Sequence, residues 1–72
     1  MKFAIIDQIK NGDCFEELFD TKEKAIQKAT IDWNRMSDHD KSRREYFAVF
    51  AGDVDEEGCF DINTAAIVKD YK

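Results

Sequence analysis

Apolar residues within the first twenty positions fall into two runs that are typical of two short β-strands. Residues 2–10, KFAIIDQIK, predict the first strand and residues 13–20 predict the second. Asn11-Gly12 lies between them and is the strongest short-range hairpin signal, because both residues of a type I′ turn need a positive φ. We therefore expect an N-terminal hairpin with a two-residue loop.

A two-residue loop determines which residues of the two strands lie opposite each other. It predicts Ile9 opposite Cys14, Ile5 opposite Leu18, and Ala4 opposite Phe19. One face then collects Phe3, Ile5, Ile9, Cys14 and Leu18. The other, called the second face below, collects Ala4, Ile6, Phe15 and Phe19. Neither face is polar, although a sheet face in contact with water normally shows polar residues at alternate positions.

The next segment has the three- and four-residue spacing of an α-helix. Asp20 or Thr21 can cap its first turn, with Glu23 placed as in a capping box, and the helix is expected to end near Met36. Its buried stripe consists of Ala25, Ile26, Ala29, Trp33 and Met36. Ile31 lies outside this stripe and is expected to be exposed.

The second half of the chain predicts two further strands. Ser37 can cap one helical turn that reaches residue 44, and residues 45–54 are rich in the β-branched and aromatic side chains typical of a strand. Residues 55–58 predict a turn. For residues 59–72 the pattern allows a short helix or a closing strand, and we favour the strand because it completes a four-stranded sheet.

These elements predict one α+β domain over residues 1–72, a four-stranded antiparallel sheet with one helix packed on one face (β-β-α-β-β). The expected core consists of Ile5, Leu18, Ile26, Trp33, Phe47 and Val49. One helix covers one face, so the C-terminal segment or another subunit must cover the apolar second face. We favour a homodimer, with an interaction face formed by Ala4, Ile6, Phe15 and Phe19.

Composition excludes several classes of protein. The chain has 72 residues, 11 basic and 16 acidic, with a net charge of −5 and 43% hydrophobic residues. That apolar fraction is too high for a disordered acidic tail. No apolar run reaches the roughly 18 residues of a membrane span, and Asp7 interrupts the start before a signal-peptide core can form. The acidic balance argues against direct nucleic-acid binding, whose affinity comes from neutralising phosphates. We expect an acidic cytoplasmic protein without membrane contact.

A core this small supplies only about 3–5 kcal/mol, so small domains usually need a disulfide, a metal or a partner subunit. Cys14 and Cys59 lack the spacing of a redox or zinc site and are expected to be reduced, packed thiols. With His39 as the single histidine, a structural zinc site is not expected. No cofactor is predicted, and oligomerisation remains as the source of added stability.

Residues 53–64 follow the start of an EF-hand-like calcium loop, with oxygen donors at positions one, three, five and nine and glycine at position six. The candidate ligands are Asp53, Asp55, Glu57 and Asp61. However, position twelve is Thr64, where the bidentate Glu should be, and the preceding segment predicts a strand rather than a helix. A solvated turn with Gly58 at a positive φ is the favoured interpretation, and a cation site is the alternative.

No arrangement of side chains indicates catalysis. His39 lies between Asp38 and Asp40, but no nucleophile or Gly-rich phosphate loop accompanies this possible acid–base pair. Glu16 and Glu17 are adjacent on a strand and therefore point to opposite faces. We expect a protein that is not an enzyme.

Five features are spread along most of the chain: FDTKEKAI at 19–26, Trp33, DKSRREYF at 40–47, DEEGC at 55–59 and VKDYK at 68–72. Together they resemble a group of small uncharacterised proteins encoded in genomes of low-GC Gram-positive gut bacteria. These motifs form a helix start, a helical Trp and a turn, so none is specific for an activity. The resemblance implies a bacterial cytoplasmic protein and carries over no catalytic or binding residue.

The sequence thus favours a small non-enzymatic interaction module that associates with itself, or with another protein, through the second face. One alternative is an acidic regulator that imitates nucleic acid and occupies a DNA-binding protein. The other is a calcium- or ligand-responsive module that uses the acidic turn at 53–61.

Overall fold

A computed structural model describes all 72 residues, which form four strands of one antiparallel sheet and a helix that crosses it. The elements are β1 (Lys2–Ile9), β2 (Cys14–Phe19), α1 (Lys22–Arg35), α2 (Asp38–Ser42), β3 (Arg44–Gly52), a 3-10 turn (Ile62–Thr64) and β4 (Ala66–Asp70). The strand order is β2-β1-β3-β4, and neighbouring strands are antiparallel. The predicted α+β fold is confirmed, including the closing strand.

Both helices begin where side-chain caps satisfy the first free backbone N–H groups. The Thr21 hydroxyl accepts from Lys24 N at 3.3 Å, and the Ser37 hydroxyl accepts from Asp40 N at 3.1 Å. Thr21 rather than Asp20 caps α1, and the Asp20 carboxylate is instead paired with the Lys2 ammonium. Both predicted helix starts are therefore confirmed.

The helix face of the sheet, which α1 covers, holds the larger core. Its buried residues are Ile5, Ala25, Ala29, Phe47 and Val49. The two alanines have no exposed surface, so α1 can lie close to the sheet. Burying a side chain such as Phe47 or Val49 contributes roughly 1.5–3 kcal/mol, so this layer supplies much of the stability.

Three aromatic rings join the end of the chain to α1. The Trp33 and Phe47 ring centroids lie 5.5 Å apart, and Tyr71 meets Phe47 edge-on at 5.6 Å. The Tyr71 hydroxyl lies 2.8 Å from Thr30 Oγ1 and donates to Ile26 O at 3.2 Å. The sequence predicted Trp33 and Phe47 as core residues, whereas the role of Tyr71 emerges from the fold.

The register of the N-terminal hairpin differs from the prediction by one residue. Phe3 pairs with Phe19 and Ala4 with Leu18, where the sequence placed Ala4 opposite Phe19. Only Asn11 of the Asn11-Gly12 pair has a positive φ, so the type I′ turn does not form.

A longer loop takes its place, because Ile9 N donates to Asp13 O at 2.9 Å and leaves residues 10–12 as the loop. The Gln8 side chain closes this loop by donating to Ile9 O at 2.9 Å and to Gly12 O at 3.0 Å.

A one-residue shift moves every β2 side chain to the opposite face. Phe15 and Phe19 therefore lie on the helix face, and Leu18 lies on the second face. Leu18 is 40% exposed, so its prediction as a core residue is wrong. Ile5, Phe47 and Val49 are buried as predicted, and Trp33 and Ile26 are partly buried against them.

The second face is partly covered by residues 53–65, the cover segment, which connects β3 to β4. Phe60 packs on Ala4 and Ile6, and Val54 and Ala65 adjoin them. The sequence left two means of covering this face open, the chain itself or another subunit. The chain itself supplies the cover above Ala4 and Ile6.

Candidate interaction surface on the second face

The cover segment leaves an open apolar hollow over the part of the second face formed by β3 and β4. The hollow has a volume of about 340 Å³ and is lined by Tyr46, Ala48, Phe50, Ile62, Ile67, Asp70 and Lys72. Ile67 is 57% exposed and Ile62 is 39% exposed, so two large aliphatic side chains face water at its border. Apolar surface gathered in one place is typical of binding sites.

Strand alternation and one bulge place these side chains together. Tyr46, Ala48 and Phe50 are alternate residues of β3 and therefore share a face. β4 pairs Ile67 with Phe50 and Asp70 with Ala48, and the register shifts between these two pairs. The bulge brings both β4 residues to the second face although they are three positions apart.

Ile62 reaches the hollow from the 3-10 turn at the end of the cover segment. The Asp61 carboxylate caps this turn by accepting from Asn63 N at 3.1 Å. Ala65 N donates to Ile62 O at 3.3 Å and closes the turn just before β4 begins. These local bonds hold Ile62 at the rim rather than in the core.

The predicted interaction face of Ala4, Ile6, Phe15 and Phe19 does not exist as one surface. Ala4 is 0% and Ile6 is 2% exposed, because Phe60 covers them. Phe15 and Phe19 lie on the opposite side of the sheet, where Phe19 packs against the core beneath α1. The shifted hairpin register and the cover segment together account for this correction.

The predicted calcium ligands are not arranged as a metal site. No group of three or more His, Cys, Asp or Glu side chains that could hold a metal ion is present. Val54 and Phe60 form a β-bridge, so the segment folds as a narrow hairpin instead of a calcium loop. The Asp55 carboxylate accepts from Glu57 N and Cys59 N, each at 2.9 Å, and is thus used by its own turn. Gly58 has the predicted positive φ, at 85°.

Two of the other three predicted ligands, Asp53 and Asp61, also have partners within the chain. Asp53 lies 3.8 Å from the N-terminal ammonium. Asp61 caps the 3-10 turn. The turn interpretation favoured from the sequence describes the geometry of 53–61, and the calcium loop does not.

A second, smaller hollow of about 230 Å³ lies on the helix face beside β2. It is lined by Ile5, Asp7, Phe15, Glu16, Glu17, Asp32 and Phe47. Lys28 balances part of its negative charge, with Nζ 2.8 Å from Asp32 and 3.8 Å from Glu17. This acidic hollow is therefore a partly neutralised pocket at the edge of the core.

Asp7 forms the inner wall of the acidic hollow together with Arg44. Arg44 Nε lies 2.8 Å from Asp7 Oδ1, although both atoms are buried and are not aligned as a hydrogen bond. Burial raises the pKa of Asp7 above its ordinary value, because loss of water outweighs the opposing effect of the Arg44 charge. Asp7 and Arg44 thus form a structural ion pair.

The two cysteines and the histidine are not among the residues that line the apolar hollow. Cys14 and Cys59 are free and exposed, which corrects the expectation of packed thiols. Burial, followed by the Glu16 charge, raises the pKa of the Cys14 thiol, so its reactive thiolate form is disfavoured. His39 lies exposed on α2, as expected for a surface residue.

The sequence predicted the apolar β3 strand that supplies Tyr46, Ala48 and Phe50, but it did not locate the hollow or the residues that complete it. Ile67 was available as part of a closing strand, but its face depends on the β4 bulge. Ile62 belonged to the least patterned segment of the chain. The one signal for them was the apolar character of both faces of β3, which indicated a site without locating it.

No helix of the structure has both the length and the apolar character that crossing a bilayer requires. Comparisons of the chain with models of protein families, with curated proteins and with solved structures found no match.

Proposed function

We propose that this protein is a non-enzymatic interaction module that associates with itself, as a homodimer, through the apolar hollow of the second face. The observation that carries the proposal is the exposure of Ile62 and Ile67 around a hollow with an apolar floor of Tyr46, Ala48 and Phe50. Moving such side chains out of water stabilises a complex by roughly 25 cal/mol per Å² of apolar surface. An aromatic residue such as Tyr46 is also a typical anchor of an interface.

The dimensions of the molecule support the same proposal. Its accessible surface is 4789 Å², and a stable interface takes about 800 Å² from each partner. Such a contact would use about a sixth of the surface. A domain this small has a core that supplies little stability, and apolar surface buried against a partner adds to it.

The free cysteines support a reducing compartment. Cys14 and Cys59 are both exposed and unpaired, a state typical of cytoplasmic proteins. On this ground we propose a cytoplasmic location.

The acidic-regulator alternative has weaker support from the geometry. A nucleic-acid mimic needs free carboxylates in a row, whereas Asp7 is paired with Arg44 and Asp32 with Lys28. In the acidic turn, Asp55 and Asp61 accept hydrogen bonds from the backbone. The apolar hollow, by contrast, has no such internal partner.

Sedimentation velocity of matched variants tests self-association. We expect wild type to sediment as a dimer and Ile67→Ser as a monomer, because the substitution places a hydroxyl in the apolar contact. Ile31→Ser is the control, since Ile31 is 41% exposed on α1, away from the hollow, and should leave the dimer intact. A wild type that remains a monomer of 8.4 kDa at the highest soluble concentration contradicts the proposal.

A further inference from the structure

The charged rim of the apolar hollow indicates how two copies fit together. Asp70 and Lys72 both border the hollow, and neither belongs to an ion pair within the chain. Lys72 N donates to Asp70 Oδ1 at 3.1 Å, which holds the carboxylate at the rim. Lys72 Nζ donates to Lys41 O at 2.8 Å, so the ammonium also has a defined place. One acid and one base thus stand beside the same apolar surface.

We infer that the hollow binds a second copy across a two-fold axis, with Asp70 of each copy paired to the partner's Lys72. This inference rests on the proposed function, because it specifies the geometry and the specificity of that same contact. In a two-fold interface, residue i meets residue j and residue j meets residue i. A surface with an apolar centre, one acid and one base is complementary to itself under this operation.

The net charge of the chain explains why two copies need defined ion pairs between Asp70 and Lys72. Two copies carry a net charge of −5 each, so their general electrostatic interaction is repulsive. Charges farther apart than about 8 Å are largely screened at physiological salt, whereas a pair at the edge of a dry contact is screened less. The two reciprocal pairs therefore oppose the repulsion at the place where the surfaces meet and exclude a misaligned contact.

Reversed charges test this geometry. Asp70→Lys alone places like positive charges opposite each other in both pairs, and Lys72→Asp alone places like negative charges there. We expect the dimer of each variant by itself to be weaker than that of wild type by a factor of about ten or more. In a mixture of the two variants, each new charge meets its opposite, so a heterodimer should form with nearly wild-type affinity. Sedimentation equilibrium measures the affinities, and native mass spectrometry identifies the heterodimer.

The outcomes separate this inference from the proposed function. If wild type does not dimerise, the proposed function is wrong. If wild type dimerises and Ile67→Ser does not, but the single charge variants dimerise as tightly as wild type, the function stands and the two-fold pairing is wrong. A mixture that fails to form the heterodimer likewise overturns the pairing, provided that circular dichroism shows both variants folded.

Discussion

At the scale of single residues, Asp7 is the clearest case in which burial and pairing oppose each other. The Arg44 guanidinium favours the ionised carboxylate, but removal from water disfavours it more strongly and raises the pKa of Asp7. A buried ion pair of this kind adds little to the stability of the fold, because the cost of removing both charges from water offsets much of their Coulomb attraction. Sequence reasoning assigned this residue no structural role.

The raised pKa of Asp7 predicts a pH dependence with a definite sign. Its contribution to the free energy of unfolding is fully present below the ordinary value of 3.8 and is lost as the pH rises through the raised value. The stability of wild type minus that of Asp7→Asn should therefore fall as the pH rises from below 3.8 through the raised pKa of Asp7. Urea unfolding of both proteins at several pH values measures this difference.

Asp20→Asn provides a control of opposite sign. A hydrogen bond from Lys2 lowers the pKa of Asp20, so the stability that Asp20 contributes is present above its ordinary value of 3.8 and is lost as the pH falls. The difference between wild type and Asp20→Asn should rise with pH. If the Asp7→Asn difference also rises with pH, or stays flat, pairing with Arg44 outweighs the burial of Asp7.

At the scale of elements, one loop and one bulge decide the faces of the two outer strands. The hairpin loop at residues 10–12 sets the β2 register one residue away from the predicted one, and the β4 bulge between the partners of Val49 and Phe50 turns Ile67 to the second face. Alternation within a strand predicted the contents of each face but could not include an extra residue. Helix α1 was predicted more closely, because its stripe and its cap are local features.

The cover segment depends on a close approach at Gly52. A Cβ at this position would lie 3.0 Å from Ala65 Cβ and 3.1 Å from Phe60 Cζ, so it would force the segment away from the sheet. We expect Gly52→Ala to lower the free energy of unfolding by about 1–3 kcal/mol, the usual result of overpacking. Chemical denaturation measures the change.

A second substitution distinguishes this contact from a general effect of alanine in a strand. Ala65→Gly removes the nearer obstacle, so the double variant should lose less stability than the sum of the two single variants. Strict additivity would show that the approach of the cover segment to Gly52 does not limit the packing.

At the scale of the whole molecule, the protein is a slab with two unequal sides. The Cα atoms span 37 × 26 × 17 Å, and the short dimension is that of a sheet with one helix layer. The helix side has a core of side chains from α1 and the sheet, whereas the other side has only the cover segment. The slab therefore has one face where a partner can complete the layered arrangement.

Self-association predicts a melting temperature that depends on concentration. A dimer that unfolds to two monomers is stabilised by mass action, so Tm should rise by about 3–5 °C for each tenfold rise in protein concentration. The Tm of Ile67→Ser should not move with concentration. Differential scanning calorimetry over a concentration series makes the comparison, and a constant wild-type Tm would show that unfolding does not involve a dimer.

The sequence by itself determined the order of the elements, the class of the fold, and the residues of α1 that face the sheet. These features depend on local periodicity and capping, which each segment carries in its own residues. Ala29 and Trp33 of α1, for example, lie on the face that spacing assigns to them. The excess of apolar residues on both faces of the sheet also follows from the strand patterns alone.

Only the tertiary structure decided which apolar residues the chain covers for itself. The register of β2 depends on the hairpin loop, the face of Ile67 depends on a bulge, and the burial of Ala4 and Ile6 depends on Phe60 arriving from a distant segment. Strand register, bulges and the position of the cover segment depend on backbone pairing, loop closure and packing across the whole sheet at once. A short stretch of sequence does not include these distant partners. The surplus of apolar surface could therefore be predicted, whereas its location could not.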